Sequence, residues 1–162
     1  MSALIGGILF VLLAPVAAGL LAGLDRIASA RMQYRVGPPL LQPFYDLYKL
    51  FAKERIAVNT SGHFFLLGYL LFTVIAGFEF FAGGDLLIVI FALALGSVFF
   101  VLGAFAAGSP YSHIGAEREL IQLMASEPML IIAAMGFYVA TGTFQVTETI
   151  ADPQLMIVTL PG

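Results

Sequence analysis

Residues Ala3 to Leu24 read ALIGGILFVLLAPVAAGLLAGL, a run without a single charged side chain. Crossing a hydrocarbon core of about 30 Å takes roughly 20 mostly apolar residues, and this run supplies them. No positively charged leader precedes it, and it exceeds the roughly 7–15 apolar residues of a signal peptide core. It therefore reads as a retained first helix, with Pro15 as a kink. Composition extends the same reading to the whole chain. Of 162 residues, 60% are hydrophobic and 10% charged, against roughly 45–50% and 25% in a soluble globular domain. A bilayer is the solvent that such a surface requires, and the expected fold is an all-α, polytopic transmembrane protein of about four spans plus one interfacial helix.

Working outward, a second apolar run covers Phe64 to Phe81, with Glu79 near its end, and a third covers Leu86 to Ala107. Gly83-Gly84-Asp85 between them is a turn signal. The fourth run, Leu120 to Phe144, contains Gln122, Glu127 and Pro128. Residues 1–144 are thus expected to form one transmembrane helical domain and residues 145–162 an outward-facing tail, whose apolar stretch Leu155 to Leu160 is too brief to span. Arg26, Arg31, Arg35, Lys49, Lys53 and Arg55 lie between the first two runs, and Arg118 opens the fourth. The positive-inside rule places both of these loops in the cytoplasm, in a multi-pass protein of the cell (inner) membrane.

Several chemistries are excluded or disfavoured. A net charge of −3 argues against nucleic acid, whose phosphates require a basic face. The chain has no cysteine, so it offers no thiolate for an iron–sulfur cluster or structural zinc and no disulfide. His63 and His113 lack ligand-like spacing and read as interfacial or loop residues. No internal repeat is visible, whereas a small channel or transporter normally needs several copies or a duplicated half.

Within Gln42 to Arg55, the apolar residues Phe44, Leu47, Tyr48 and Phe51 recur at i, i+3, i+4, i+7, and Asp46, Lys49 and Lys53 mark another face. This is the pattern of an amphipathic interfacial helix, too short to span. Pro43 suits a first helical turn, and Val36-Gly37-Pro38-Pro39 before it is a breaker. Asp46 and Lys49, at i and i+3, read either as a surface pair or as part of a polar track. The arginines read either as ligands of anionic lipid or as a docking face for a soluble partner.

Glu127 is the costly residue of the fourth run, because an ionisable side chain inside a span costs roughly 2.5–3.5 kcal/mol on insertion scales. Pro128 directly after it lacks an N–H, which leaves the Met124 carbonyl without its helical donor. A carboxyl beside an opened backbone can host water or a cation and exchange a proton; the plainer alternative is a neutral acid hydrogen-bonded for packing. Arg118 and Gln122, at i and i+4, share a helical face, and at 100° per residue Glu127 lies opposite Arg118. For Glu79, snorkelling to the interface is the plain reading.

Two stretches carry a family resemblance: RMQYRVGPPLLQPFYDLYKLFAKE, Arg31 to Glu54, and GSPYSHIGAERELIQLMASEP, Gly108 to Pro128. In order, spacing and membrane context they resemble the membrane subunit shared by respiratory complex I (its H, or first, subunit) and the group 4 energy-converting NiFe hydrogenases and formate hydrogenlyases. The compact Gly37-Pro38-Pro39-Leu40-Leu41-Gln42-Pro43 and the Ser109-Pro110-Tyr111 to Glu127-Pro128 segment look like the hydrogenase branch. Members of the family run to roughly double this length and carry a further acid-rich loop, so the match covers a first half.

The resemblance implies a subunit that is not catalytic alone, anchors a redox arm and couples electron transfer to H+ or Na+ translocation. It further implies partners: an iron–sulfur small subunit and a NiFe large subunit carrying the clusters and the metal centre, antiporter-like membrane subunits, and lipid. Asp46, Lys49, Arg118, Gln122 and Glu127 would belong to the ion path or its coupling, and Arg31 and Arg35 to the partner interface. In the complex I alternative the same surface borders a quinone cavity. A small channel or a structural membrane anchor is the alternative of another class.

Overall fold

The computed structural model describes residues 2–54 and 60–151. Six helices follow in order: α1 (Ser2–Met32), α2 (Gln42–Phe51), α3 (Thr60–Phe81), α4 (Leu86–Ala106), α5 (Pro110–Thr141) and α6 (Val146–Ala151). Among the described residues there is no strand, only an isolated antiparallel bridge between Asp85 and Gln145. Four helices, α1, α3, α4 and α5, are long and apolar enough to cross a membrane. The protein is all-helical and polytopic. Its surface is that of a membrane protein, with Leu67 67% and Ile132 69% exposed, where a water-soluble fold would bury such side chains. The chain divides into two compact units, Met1–Ile8 with Val58–Gly162, and Leu9–Ala57.

In the first unit α3 and α4 are neighbours joined by a tight turn. Gly83 takes φ +75°, a conformation open to glycine at no steric cost. Asp85 then caps α4, its Oδ1 accepting from the Leu87 N–H at 2.8 Å, as an N-cap carboxylate should. Between the helices small residues receive large ones. Gly68 lies under the Phe99 ring, Phe72 meets Phe99 at 5.3 Å, and Tyr69 meets Phe100 at 5.2 Å. Ala76, Val89 and Ala92 are buried between them. Since lipid tails are as apolar as leucine, such close packing, and not expulsion of water, holds the pair together.

At its other end α4 passes through Gly108, φ +65°, into α5, where the Ser112 hydroxyl donates to the Ala104 carbonyl at 2.6 Å. His113 sits edge-on to Phe105 at 5.2 Å. α5 ends on Gly142, φ +74°, and the chain beyond it clasps the α3–α4 turn. Leu86 N–H donates to the Phe144 carbonyl at 2.9 Å and Val146 N–H to the Gly84 carbonyl at 3.0 Å. The Thr147 hydroxyl donates to the Gly83 carbonyl at 2.7 Å. Phe144 stacks on Tyr138 at 4.4 Å, which leaves Thr143 and Phe144 outside the helix whose apolar run they continue.

In the second unit, α1 continues helically past its apolar run, through Arg26 and Arg31, to Met32. It closes in a Schellman motif, with Tyr34 N–H on the Arg31 carbonyl and Arg35 N–H on the Ala30 carbonyl, both at 3.0 Å. The left-handed residue of the motif is Tyr34, φ +53°, where glycine is the default; an L-residue there costs roughly 1–2 kcal/mol. The breaker that follows returns the chain to α1. A Cβ at Gly19 would lie 2.5 Å from the Phe44 ring, and one at Gly23 would collide with the Leu40 carbonyl. These two glycines are the notches that seat α2.

α2 stops at Phe51, with Ala52 N–H returning to the Tyr48 carbonyl at 3.2 Å. The helix expected over Gln42 to Arg55 is thus shorter, because the next positions of the apolar stripe after Phe51 are Glu54 and Arg55. Arg55 and the stretch Leu155 to Leu160 lie outside the described residues.

Candidate functional site

The polar side chains singled out by the sequence fall into two sets, one in each unit. In the second unit Asp46 is the hub. Arg26 Nη1 donates to its Oδ2 at 2.9 Å and Gln42 Nε2 to its Oδ1 at 3.0 Å. Among the described residues Arg26–Asp46 is the one ion pair, with side chains 52% and 39% exposed. At that exposure solvent screens the attraction, and the pair matters for orientation more than for stability.

The Arg26 guanidinium first, then the Gln42 amide, hold the Asp46 carboxyl below its ordinary value. A depressed carboxylate contributes at pH above the unfolded value of about 3.9 and loses that contribution as pH falls through its folded value. The clamp is therefore intact at neutral pH. Lys49 is exposed and makes no ion pair; the partner of Asp46 is Arg26, not the lysine at i+3. Arg31 is exposed, and Arg35 Nε donates to Gln33 Oε1 at 2.8 Å.

The sequence reading missed Arg26 as a partner. Gln42 to Asp46 is an i, i+4 spacing and was available. Arg26 is twenty residues from Asp46, and only the chain reversal between α1 and α2 joins them.

In the first unit, Arg118 and Gln122 occupy the early turns of α5 and are exposed. Their i, i+4 spacing puts them on one face, yet no hydrogen bond joins them. Glu127 is half-buried. It lines an open depression of about 460 Å³ with Met124, Pro128, Ile131 and Ile132. α5 runs unbroken through Pro128, so Glu127 stays nine residues and half a helical rotation from Arg118. Neither residue forms an ion pair among the described residues. The carboxylate is thus an unpaired polar atom in an otherwise apolar groove. Glu79, half-buried, folds its carboxylate over Gly84 at the α3–α4 turn. Among the described residues no three His, Asp or Glu side chains gather to hold a metal ion.

A multi-pass helical membrane protein, with an amphipathic helix clamped to its first span and an acid within its last, is the class that these features define. The family model described as NADH dehydrogenase matches residues 5–161, and the chain belongs to that family, the NADH dehydrogenase subunit 1/H family. Hydrogenase-4 component C of Escherichia coli is 34% identical over 138 residues, 76% of this chain and 43% of that protein. Formate hydrogenlyase subunit 4 of Escherichia coli is 32% identical over 151 residues, 82% and 48% of the two chains. The H-type subunit of the NADH-quinone oxidoreductase of Thermomicrobium roseum is 33% identical over 165 residues, 85% and 48% of the two.

The chain spans about half the length of the curated relatives it matches. Its fold is that of a chain in the membrane-bound sulfane sulfur reductase, an archaeal respiratory membrane complex. The TM-score is 0.79 at 24% identity, covering 98% of this chain and 59% of that one.

Proposed function

We propose that the chain is the membrane subunit of an energy-converting hydrogenase complex, anchoring a redox arm and coupling its electron transfer to H+ or Na+ translocation. The observation that carries this reading is the 34% and 32% identity to subunits of two hydrogenase-type assemblies. The compact Gly37 to Pro43 connection agrees with it. In this reading the iron–sulfur clusters and the NiFe centre belong to small and large subunits of the arm, and antiporter-like subunits and lipid flank the chain in the membrane. Arg31 and Arg35 meet the arm. Asp46 and Lys49 serve the polar entrance, and Arg118, Gln122 and Glu127 the intramembrane path. The identity to a quinone oxidoreductase subunit favours a second reading, in which the same surface borders a quinone cavity.

Purifying the intact complex from native membranes is the test. A co-purifying subunit with four nickel-binding cysteines is expected, and a quinone-reducing assembly without one would transfer the chain to the second reading. The basic loops are proposed to be cytoplasmic and α6 to face the opposite side, in the cell membrane. Lys49→Cys and Glu148→Cys, both at exposed positions, are then expected to label from opposite faces of sealed vesicles. Labelling of both from one face would defeat the topology. Gly84 is unsuitable for such a probe, because a Cβ there meets the Glu79 carboxylate.

A further inference from the structure

We infer that Tyr34 is the anchor by which the cationic cap of α1 grips a water-soluble protein partner, one that presents an acidic surface around a pocket of aromatic size. The inference rests on the arm-docking reading above and names the residue and the chemistry that perform it. Its first support is conformational. Tyr34 holds the left-handed position of a complete Schellman motif, φ +53°, where glycine would sit unstrained. The residue is 100% exposed, so no packing among the described residues compensates for the conformation. Strain that the fold does not reward points to function.

The second support is what surrounds it. Arg31 and Arg35 lie three residues before and one residue after it in the chain and are exposed, neither pairs with a carboxylate among the described residues, and Val36 is 97% exposed. Asp46, an acid of the same unit, is engaged by Arg26. Tyrosine and arginine are the side chains over-represented where a few residues carry most of a binding energy, and an uncompensated pair of guanidinium groups selects an acidic partner.

The third support separates protein from lipid. Leu24 ends the apolar run and Tyr34 follows ten residues later on a helix that continues to Met32. At 1.5 Å per residue that places Tyr34 roughly 12–15 Å beyond the hydrocarbon edge. The headgroup layer is only about 5–8 Å deep on each side, and a tilt of about 20° shortens the rise by less than a tenth. Counted from Leu24, the Tyr34 ring therefore stands beyond the headgroup layer.

Tyr34→Gly discriminates because the two roles move it in opposite directions. It removes the ring and relieves the backbone, so a merely structural residue would give a membrane chain at least as stable and an arm bound as before. The anchor role predicts that the melting temperature of the membrane chain is maintained or raised while the arm of the purified complex binds about 10- to 30-fold more weakly. Wild-type affinity in Tyr34→Gly overturns the inference. If Arg31→Glu/Arg35→Glu still releases the arm in that case, the docking reading itself stands; an arm retained by both variants sinks the docking reading as well. Because the chain has no cysteine, Tyr34→Cys gives a unique thiol. Rapid labelling by a membrane-impermeant maleimide in arm-free proteoliposomes, with protection after the arm is added back, supports the protein partner. Protection by the bilayer alone overturns it.

Discussion

Replacing Glu127 by glutamine is expected to leave the complex assembled while ion uptake coupled to electron transfer falls by about two orders of magnitude or more, the scale of losing a positioned acid–base group. Glutamine keeps the size and most of the hydrogen bonding of the acid but neither binds nor releases a proton. An acid in an apolar helix is costly and is tolerated only where something uses or satisfies it. Among the described residues nothing satisfies it: Glu127 has no ion-pair partner and faces an open groove shared with Pro128 and Met124. Pro128 withholds an N–H from the Met124 carbonyl, which leaves that acceptor without its helical donor one turn from the carboxyl. Together they can hold a water or a cation. Coupled ion uptake by inverted vesicles, set against uncoupled electron transfer in the same preparation, is the measurement. Wild-type pumping by an assembled Glu127→Gln complex would reduce the residue to packing. Alanine is the poorer probe, because it adds a cavity and strands any hydrogen-bond partner.

Gly23→Val is expected to unseat α2, at a cost of about 1–3 kcal/mol, the range of an overpacked contact that forces backbone movement. The group a Cβ meets there is the Leu40 carbonyl, with its carbon at 3.1 Å. A side chain could swing aside, but a backbone carbonyl moves only with the whole 33–41 connection. That connection carries Gln42 and Asp46 into reach of Arg26, so its displacement also opens the 2.9 Å ion pair. A lower melting temperature of the purified chain and faster proteolysis between Gln33 and Leu41 are the expected readouts. Gly115→Ala is the control, because a Cβ there meets nothing within 4 Å. In a helix interior alanine gains roughly 0.5–1 kcal/mol over glycine. Unchanged melting and proteolysis in Gly23→Val would show that the notch does not hold α2.

The four spans were legible in the sequence because entry into lipid is decided by transfer free energy, which sums over a run of residues and needs no knowledge of neighbours. Ala3 to Leu24 and Leu86 to Ala107 contain no charge at all, so no packing arrangement could have returned them to water. α2 was legible for a related reason: Phe44, Leu47, Tyr48 and Phe51 share one face whatever they touch, since the helical period alone puts them there. Glu127 and Pro128 stood out by the same local arithmetic of cost.

The helix ends were less legible. α1 runs on to Met32 and α5 starts at Pro110, well outside their apolar runs. Backbone hydrogen bonding continues a helix into water, and hydropathy does not see it.

Only the tertiary structure decided which partner Asp46 takes and what the glycines are for. On the sequence Lys49 is the nearer cation, but the reversal through Tyr34 and Pro38-Pro39 delivers Arg26 instead, at 2.9 Å. Gly19 and Gly23 read as two more small residues in an apolar span until Phe44 and the Leu40 carbonyl are seen filling the space above them. Which atoms meet across twenty residues depends on where a turn points the chain, and that direction is set by φ at Tyr34 together with the fit of α2 into the notches. Both are properties of the folded backbone, and neither is summed along the sequence.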